Sequence, residues 1–232
     1  MADTMTQRQM LDRVRVALGR SPADEAAVQP APARPDIPDH LVRLAWPHED
    51  LIARFTAGAT FVGMEVRPVK SDEAPRAVLA ALAEVSAQRI TVTLNRLGEF
   101  GGRITEAITA AGITLIDWHR AGSLEPHFEA DAGVTDVHAA LAETGSLICA
   151  SGPAHSRGTS LAVPFHLAVV RSSDILPDLF DYLDALPEQN PVLLPSSTAV
   201  ITGPSKTADI EGVLITGVHG PGRVVILLVE DA

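Results

Sequence analysis

Apolar positions in the first half of the chain switch repeatedly between two spacings. From Pro47, a residue suited to the first turn of a helix, Leu51, Ile52 and Phe55 fall on one helical face, and Gly58 marks the expected end. The run 59–66 then reads as a strand. Ser71, followed by Asp72 and Glu73, predicts the capped start of a helix through Ala87, with Val78, Leu79, Leu82 and Val85 on its inner face. A strand is predicted over 90–94, a helix over 103–111 halted by Gly112, and another strand over 113–116. Strands that are apolar throughout, alternating with helices, predict an α/β fold: a mostly parallel sheet with flanking helices on both faces.

The second half repeats the pattern less evenly. Residues 135–141 read as a helix leading into Glu143-Thr144-Gly145-Ser146, and 147–150 as a short buried strand. A glycine- and serine-rich loop follows over 151–160, then a strand over 164–170 and a helix over 177–186 with Leu179, Phe180 and Leu183 on one face. The fully apolar run 224–229 belongs at or near the sheet centre. At the other end of the chain, Thr6 and Gln9 have capping-box spacing, and Met10, Leu11, Val14 and Leu18 recur at helical intervals up to Gly19. Pro22, Pro30, Pro32, Pro35 and Pro38 stand among alanines, a composition that extends rather than packs. The chain thus divides into a tethered helix and Pro-rich linker, 1–38, and a main domain, 39–232. The stripe of the first helix either folds back on that domain or docks on another protein chain.

Composition narrows the function classes. With 232 residues, 46% of them hydrophobic, the chain can bury one substantial core. A formal charge of −11 and a pI near 5.1 oppose a nucleic-acid surface or an anionic membrane, both of which call for basic patches. The chain has neither the roughly 18 uninterrupted apolar residues of a membrane span nor an N-terminal secretory h-region, so the expected location is cytoplasmic. Cys149, the single cysteine, excludes an internal disulfide and any four-cysteine iron–sulfur or zinc site within this chain; inside an apolar run it reads as a small buried hydrophobe. His119, His127, His138, His155 and His166 lack helical pairing with a nearby acid, so no metal is expected.

The densest chemistry lies near the C-terminus. A β-branched run over 198–202 is broken by Gly203-Pro204, after which Ser205 or Thr207 reads as the N-cap of a helix carrying Asp209 and Glu211 in its first turn. Unpaired N–H groups at such an end suit an anion, with Lys206 and the two hydroxyls adding donors; a simple capped turn is the alternative. Neither Walker A spacing nor Gly-x-Gly-x-x-Gly occurs. Asp209 and Glu211 would diverge by roughly 200° on a helix, so at most one faces a ligand. His219, between Gly217 and Gly220, is either a proton shuttle beside a closely approached ligand or a surface histidine. Glu143 stands where a strand edge opens to a crevice, as a functional carboxylate or as a loop group satisfying backbone N–H. The stretch His155-Ser156-Arg157-Gly158 offers a cation for an anionic group or is a solvated loop.

The segment 203–211 (Gly-Pro-Ser-Lys-Thr-Ala-Asp-Ile-Glu) with Gly217-Val-His-Gly-Pro221 resembles the C-terminal signature of the LUD-domain family, in its lactate-utilisation (LutC/YkgG) branch. Glu143-Thr-Gly-Ser146 followed by Ser151-Gly-Pro153 is similar to the family's other motif. The resemblance implies a NagB/RpiA/CoA-transferase-like fold and a place in bacterial conversion of lactate to pyruvate. Redox centres would then lie on iron–sulfur partner subunits, with no cofactor in this chain. Family I CoA transferases use a loop glutamate as nucleophile, which suggests the same for Glu143 by analogy alone. On this reading Glu143 and His219 are the catalytic candidates. Thr144, Gly145, Gly203, Ser205, Lys206, Thr207, Asp209 and Gly220 would surround a small carboxylate or phosphorylated ligand. A non-catalytic scaffold or regulatory member of such a complex is the alternative.

Overall fold

The computed structural model describes residues 6–19, 37–119, 125–186, 195–208 and 214–232. Most of the proline-rich linker, and Asp209 with Glu211, lie outside the described residues. Contacts divide the chain into two compact units, Met1–Val42 and Arg43–Ala232. The first contains α1 (Gln7–Ala17), whose capping box is formed as expected: Thr6 accepts from the Gln9 N–H while the Gln9 side chain accepts from the Thr6 N–H.

In the second unit the chain runs through α2 (Leu51–Phe61), β1 (Glu65–Val69), α3 (Ala74–Glu84), β2 (Arg89–Thr93), α4 (Gly98–Ala110) and β3 (Thr114–Leu115). It continues through α5 (Glu125–Phe128), β4 (Ala132–Thr135), β5 (Ala139–Leu141), β6 (Ser146–Ser151), α6 (Gly158–Leu161) and β7 (Phe165–Arg171). Last come β8 (Ile175–Leu176), α7 (Leu179–Asp184), β9 (Ser197–Ile201), β10 (Lys206–Thr207), β11 (Ile215–Thr216) and β12 (Arg223–Val229).

Six strands, in the order β1-β12-β7-β4-β2-β3, make a sheet in which every pairing is parallel. Alternate residues of each strand feed two different cores, which is why β12 is apolar without a break. Val225, Leu227 and Val229 join Ile90, Val134 and Leu167 beneath Val78, Leu82, Ile104 and Ile108 of α3 and α4. Val224, Ile226 and Leu228 point the other way, against Phe55 and Ala59 of α2 and against Leu147. That second face is covered by α2 together with a smaller sheet in the order β8-β5-β6-β9. The fold is therefore the α/β architecture the hydrophobic pattern predicts, with β12 paired on both sides.

Of the elements that differ from expectation, three have a clear local reason. Helix α2 begins at Leu51, capped by the Asp50 carboxylate accepting from the Ala53 N–H, and runs beyond Gly58. Gly58 is small because the turn at Gly145 packs on it, and a Cβ there would lie 2.9 Å from Gly145 N. The stretch expected as a helix over 135–141 instead supplies the end of β4 and all of β5. Ala139, Ala140 and Leu141 pair with Ile148, Leu147 and Ser146, so sheet pairing overrides the helix preference of alanine. Finally, Ser205 and Thr207 cap no helix: Lys206–Thr207 is a strand, antiparallel to Ile215–Thr216.

The strand order creates one reversal of winding. From β2 the chain passes outward through α4 to β3, and its next parallel strand, β4, lies on the opposite side of β2, followed by β7 and β12. The direction of winding reverses between β2 and β4. In open α/β sheets the crevice outside the carboxyl ends at such a reversal is the usual ligand position.

Candidate functional site

A cavity of about 930 Å³ opens beside that reversal. Arg96 reaches it just after β2, His138 just after β4, and Ser173 with Asp174 just after β7; Leu176 of β8 and Tyr182 of α7 close the far side. Two backbone links fix the β2 and β4 ends to one another. The Asp136 N–H donates to the Thr93 carbonyl at 2.8 Å, and the Arg96 N–H donates to Asp136 Oδ2 at 2.7 Å. Arg96 Nε donates to the Val137 carbonyl at 3.0 Å. No described residue bonds the two terminal nitrogens of that guanidinium.

His138 is half-buried, and burial, with Arg96 and His155 nearby, pushes its pKa down to about 4. It is therefore neutral at neutral pH. The Ala150 N–H donates to its Nδ1 at 3.2 Å, so the ring proton sits on Nε2, where no described residue accepts it. Behind it stands His155, with ring centroids 4.9 Å apart in an edge-on arrangement. His155 Nε2 lies 3.1 Å from Oδ1 of Asp136, whose side chain is 1% exposed. The Asp136–His155 pair thereby holds His138 in place, and His155 does not itself line the cavity. Tyr182 is 7% exposed and its hydroxyl meets no described partner. One carboxylate faces the cavity, that of Asp174, and Arg171 engages both of its oxygens at 2.8 and 2.9 Å. The cavity thus presents a guanidinium, an imidazole N–H and a phenol against walls of Ala139, Ala150, Leu176 and Leu186. In general, such donors hydrogen-bond anions and oxygen acceptors, and such walls contact apolar groups.

The residues singled out from sequence lie elsewhere, along α2. Gly145 has φ +65° and rests on the helix itself: a Cβ there would fall 2.0 Å from Ala59 N. Gly203 has φ +97°, and a Cβ would fall 2.6 Å from the Val62 carbonyl oxygen. Between these turns a chain of hydroxyls runs from Thr144 Oγ1 to Ser146 Oγ to Thr202 Oγ1, each step 2.7 Å. Lys206 Nζ donates to the Val62 carbonyl at 3.2 Å, so its charge complements the negative end of α2 rather than adding to a positive helix start. Ser205 is tied through its backbone to Pro221 and Gly217, and its side chain packs on Gly220. Glu143 is half-buried, its N–H donating to the Pro177 carbonyl. Thr207 belongs to the short β10–β11 ribbon.

His219 is exposed and lines a separate cavity of about 530 Å³ with Arg157, Val163 and Pro164, at the amino ends of β7 and β12. The length of β7, roughly 20 Å at 3.3 Å per residue, separates it from the carboxyl-end crevice. The 143–146 loop meets the end of β9 through the Ser146–Thr202 hydroxyl bond, and the 203–207 and 217–222 loops meet through the backbone bonds of Ser205 to Pro221 and Gly217.

Residues 52–229 match the LUD domain. The chain belongs to the LUD domain family. It is 31% identical over 192 residues to lactate utilization protein C of Halalkalibacterium halodurans, an overlap covering 79% of this chain and 80% of that one. Identity with the YkgG protein of Escherichia coli (strain K12) is 28% over 230 residues, covering 96% of this chain and 97% of the relative. The structure of a DUF162 family protein from Deinococcus radiodurans, 21% identical, superimposes with a TM-score of 0.56 over 77% of this chain and 96% of that one. That likeness concerns the fold.

Within this LUD domain, no group of three or more His, Cys, Asp or Glu among the described residues is placed to hold a metal ion. Nor is any helix among them long and apolar enough to cross a membrane. Burial pushes the Cys149 thiol up to about 12, so it stays protonated and is a poor nucleophile near neutrality. Arg96, His138 and Tyr182 are the residues that sequence reasoning missed. A usable signal existed: Asn95-Arg96 and Asp136-x-His138 are the first polar residues after two buried parallel strands. Reading 135–141 as a helix hid the second of them.

Proposed function

We propose that this LUD domain is a component of a lactate-utilisation system that binds a small organic anion in the crevice between β2 and β4. The lactate-utilisation role rests on family membership together with the names of the relatives. The crevice reading rests on one observation: Arg96, His138 and Tyr182 line a single cavity, each with a donor that no described residue engages. Donors that share one cavity and stay open to solvent are the groups a ligand there would meet. Arg96 supplies the charge for a carboxylate, and His138, held neutral, supplies an N–H to an oxygen without competing as a cation. Oxidation itself is assigned to iron–sulfur partner subunits, since one cysteine holds no cluster. The ligand is placed in the crevice rather than at the 203–207 turn because the crevice lies at the reversal of strand winding, whereas Gly145 and Gly203 pack against α2.

Calorimetry with lactate, pyruvate and inorganic phosphate tests the reading. At least one of these anions is expected to bind, with affinity that collapses in Arg96→Ala and persists in Lys206→Glu. The reverse pattern would return the site to the 203–207 turn.

A further inference from the structure

The crevice is much larger than a three-carbon acid needs, and most of its wall is carbon. Across from the donor edge formed by Arg96 and His138 stand Leu176, Tyr182, Ala185 and Leu186, with Ala139 and Ala150 also in the wall. A volume of about 930 Å³ is at the upper end of what ligand-binding cavities offer. Lactate or pyruvate would satisfy the donors with its oxygens and bring a single methyl group to this wall, leaving the rest wetted. Apolar surface left in water forfeits the free energy that its burial would release.

We propose that the preferred ligand of this site is a 2-hydroxy or 2-oxo monocarboxylic acid with a branched aliphatic or aromatic side chain. This assignment rests on the crevice reading above and adds the ligand class to it. Arg96 takes the carboxylate as a bidentate pair, the one arrangement its free terminal nitrogens favour. The neighbouring oxygen accepts from His138 Nε2–H. The side chain then lies along Leu176, Ala185 and Leu186. A second carboxylate is disfavoured there, because the one ionised group on that side, Asp174, would repel it and its own cation Arg171 is already engaged by both of its oxygens.

The test is isothermal titration of the full chain and of its Arg96→Ala variant with pyruvate, 2-oxobutyrate, 2-oxoisocaproate and phenylpyruvate. Affinity of the unaltered protein is expected to climb roughly threefold to fourfold per added methylene, with phenylpyruvate about tenfold to a hundredfold tighter than pyruvate. The whole series should weaken in Arg96→Ala. Equal affinities across an Arg96-dependent series would overturn the ligand class and leave the crevice reading standing. No binding by any of the four acids would overturn the ligand class, and a rising series indifferent to Arg96 would overturn both.

Discussion

Two regions of the second unit are rich in glycine, hydroxyl and charge, and they use them in opposite ways. Along α2, most of the unusual groups engage the protein itself: Gly145 and Gly203 admit helix backbone, Thr144, Ser146 and Thr202 bond one another, and Lys206 gives one of its three donors to a helix-end carbonyl, while the Glu143 carboxylate meets no described partner. At the carboxyl ends of β2 and β4 the groups are fewer, yet Arg96, His138 and Tyr182 keep donors that nothing in the described fold takes up. Chemical richness therefore marks packing as readily as function. What separates the two regions is that the crevice groups line one cavity beside the reversal of strand winding.

The largest effect that would break this contrast is steric. Gly145→Ala must place a Cβ against helix backbone at a positive φ, and should cost several kcal/mol, read as a collapse of the thermal transition. Gly152→Ala, at the crevice, meets nothing within 4 Å of its Cβ and should stay within about 0.5 kcal/mol. Comparable losses at the two glycines would erase the distinction between packed turn and open crevice.

Acid comes next. His138 and the fully buried His166, whose Nε2 lies 2.8 Å from Thr135 Oγ1, are both pushed down to about 4 by burial, and His127 is lowered for the same reason. Since these groups bind protons more readily when unfolded, their neutral forms support the fold fully above pH about 6.5. That support is lost as pH falls from there towards 4. Denaturant melts between pH 7 and 4 should show a loss on the order of a few kcal/mol, and His166→Gln should flatten part of it. A stability that rises on acidification over this interval would contradict the assigned direction.

Smaller effects sharpen the comparison. Arg96→Ala should weaken a bound carboxylate by about 1.5–3 kcal/mol while shifting the melting temperature little, because the side chain is exposed and makes one bond to a backbone carbonyl. Lys206→Met should behave conversely: about 0.3–1 kcal/mol of stability lost with the helix-end contact, and ligand affinity unchanged in calorimetry. Should Lys206→Met weaken an anion more than Arg96→Ala does, the roles given to the two regions are reversed.

What the amino-acid order determined by itself is the alternation of periods. The stripe Val78-Leu82 with Ile104-Ile108, the unbroken apolar β12, and the capping box at Thr6 follow from spacing that only one kind of element can satisfy, because side-chain direction repeats every 3.6 residues in a helix and every two in a strand. The family motifs were equally legible, since they are local strings. What only the tertiary structure decided is partnership. Alanines 139 and 140 become strand because Leu147 and Ile148 are there to pair with them. Lys206 meets the Val62 carbonyl, 144 positions away in the chain. Arg96 and His138 come to one edge because β4 returns beside β2 and brings residues from two separate turns together. Local preferences act over a few residues, whereas whether a polar group is satisfied depends on chain segments brought together by folding, and no window of sequence contains them.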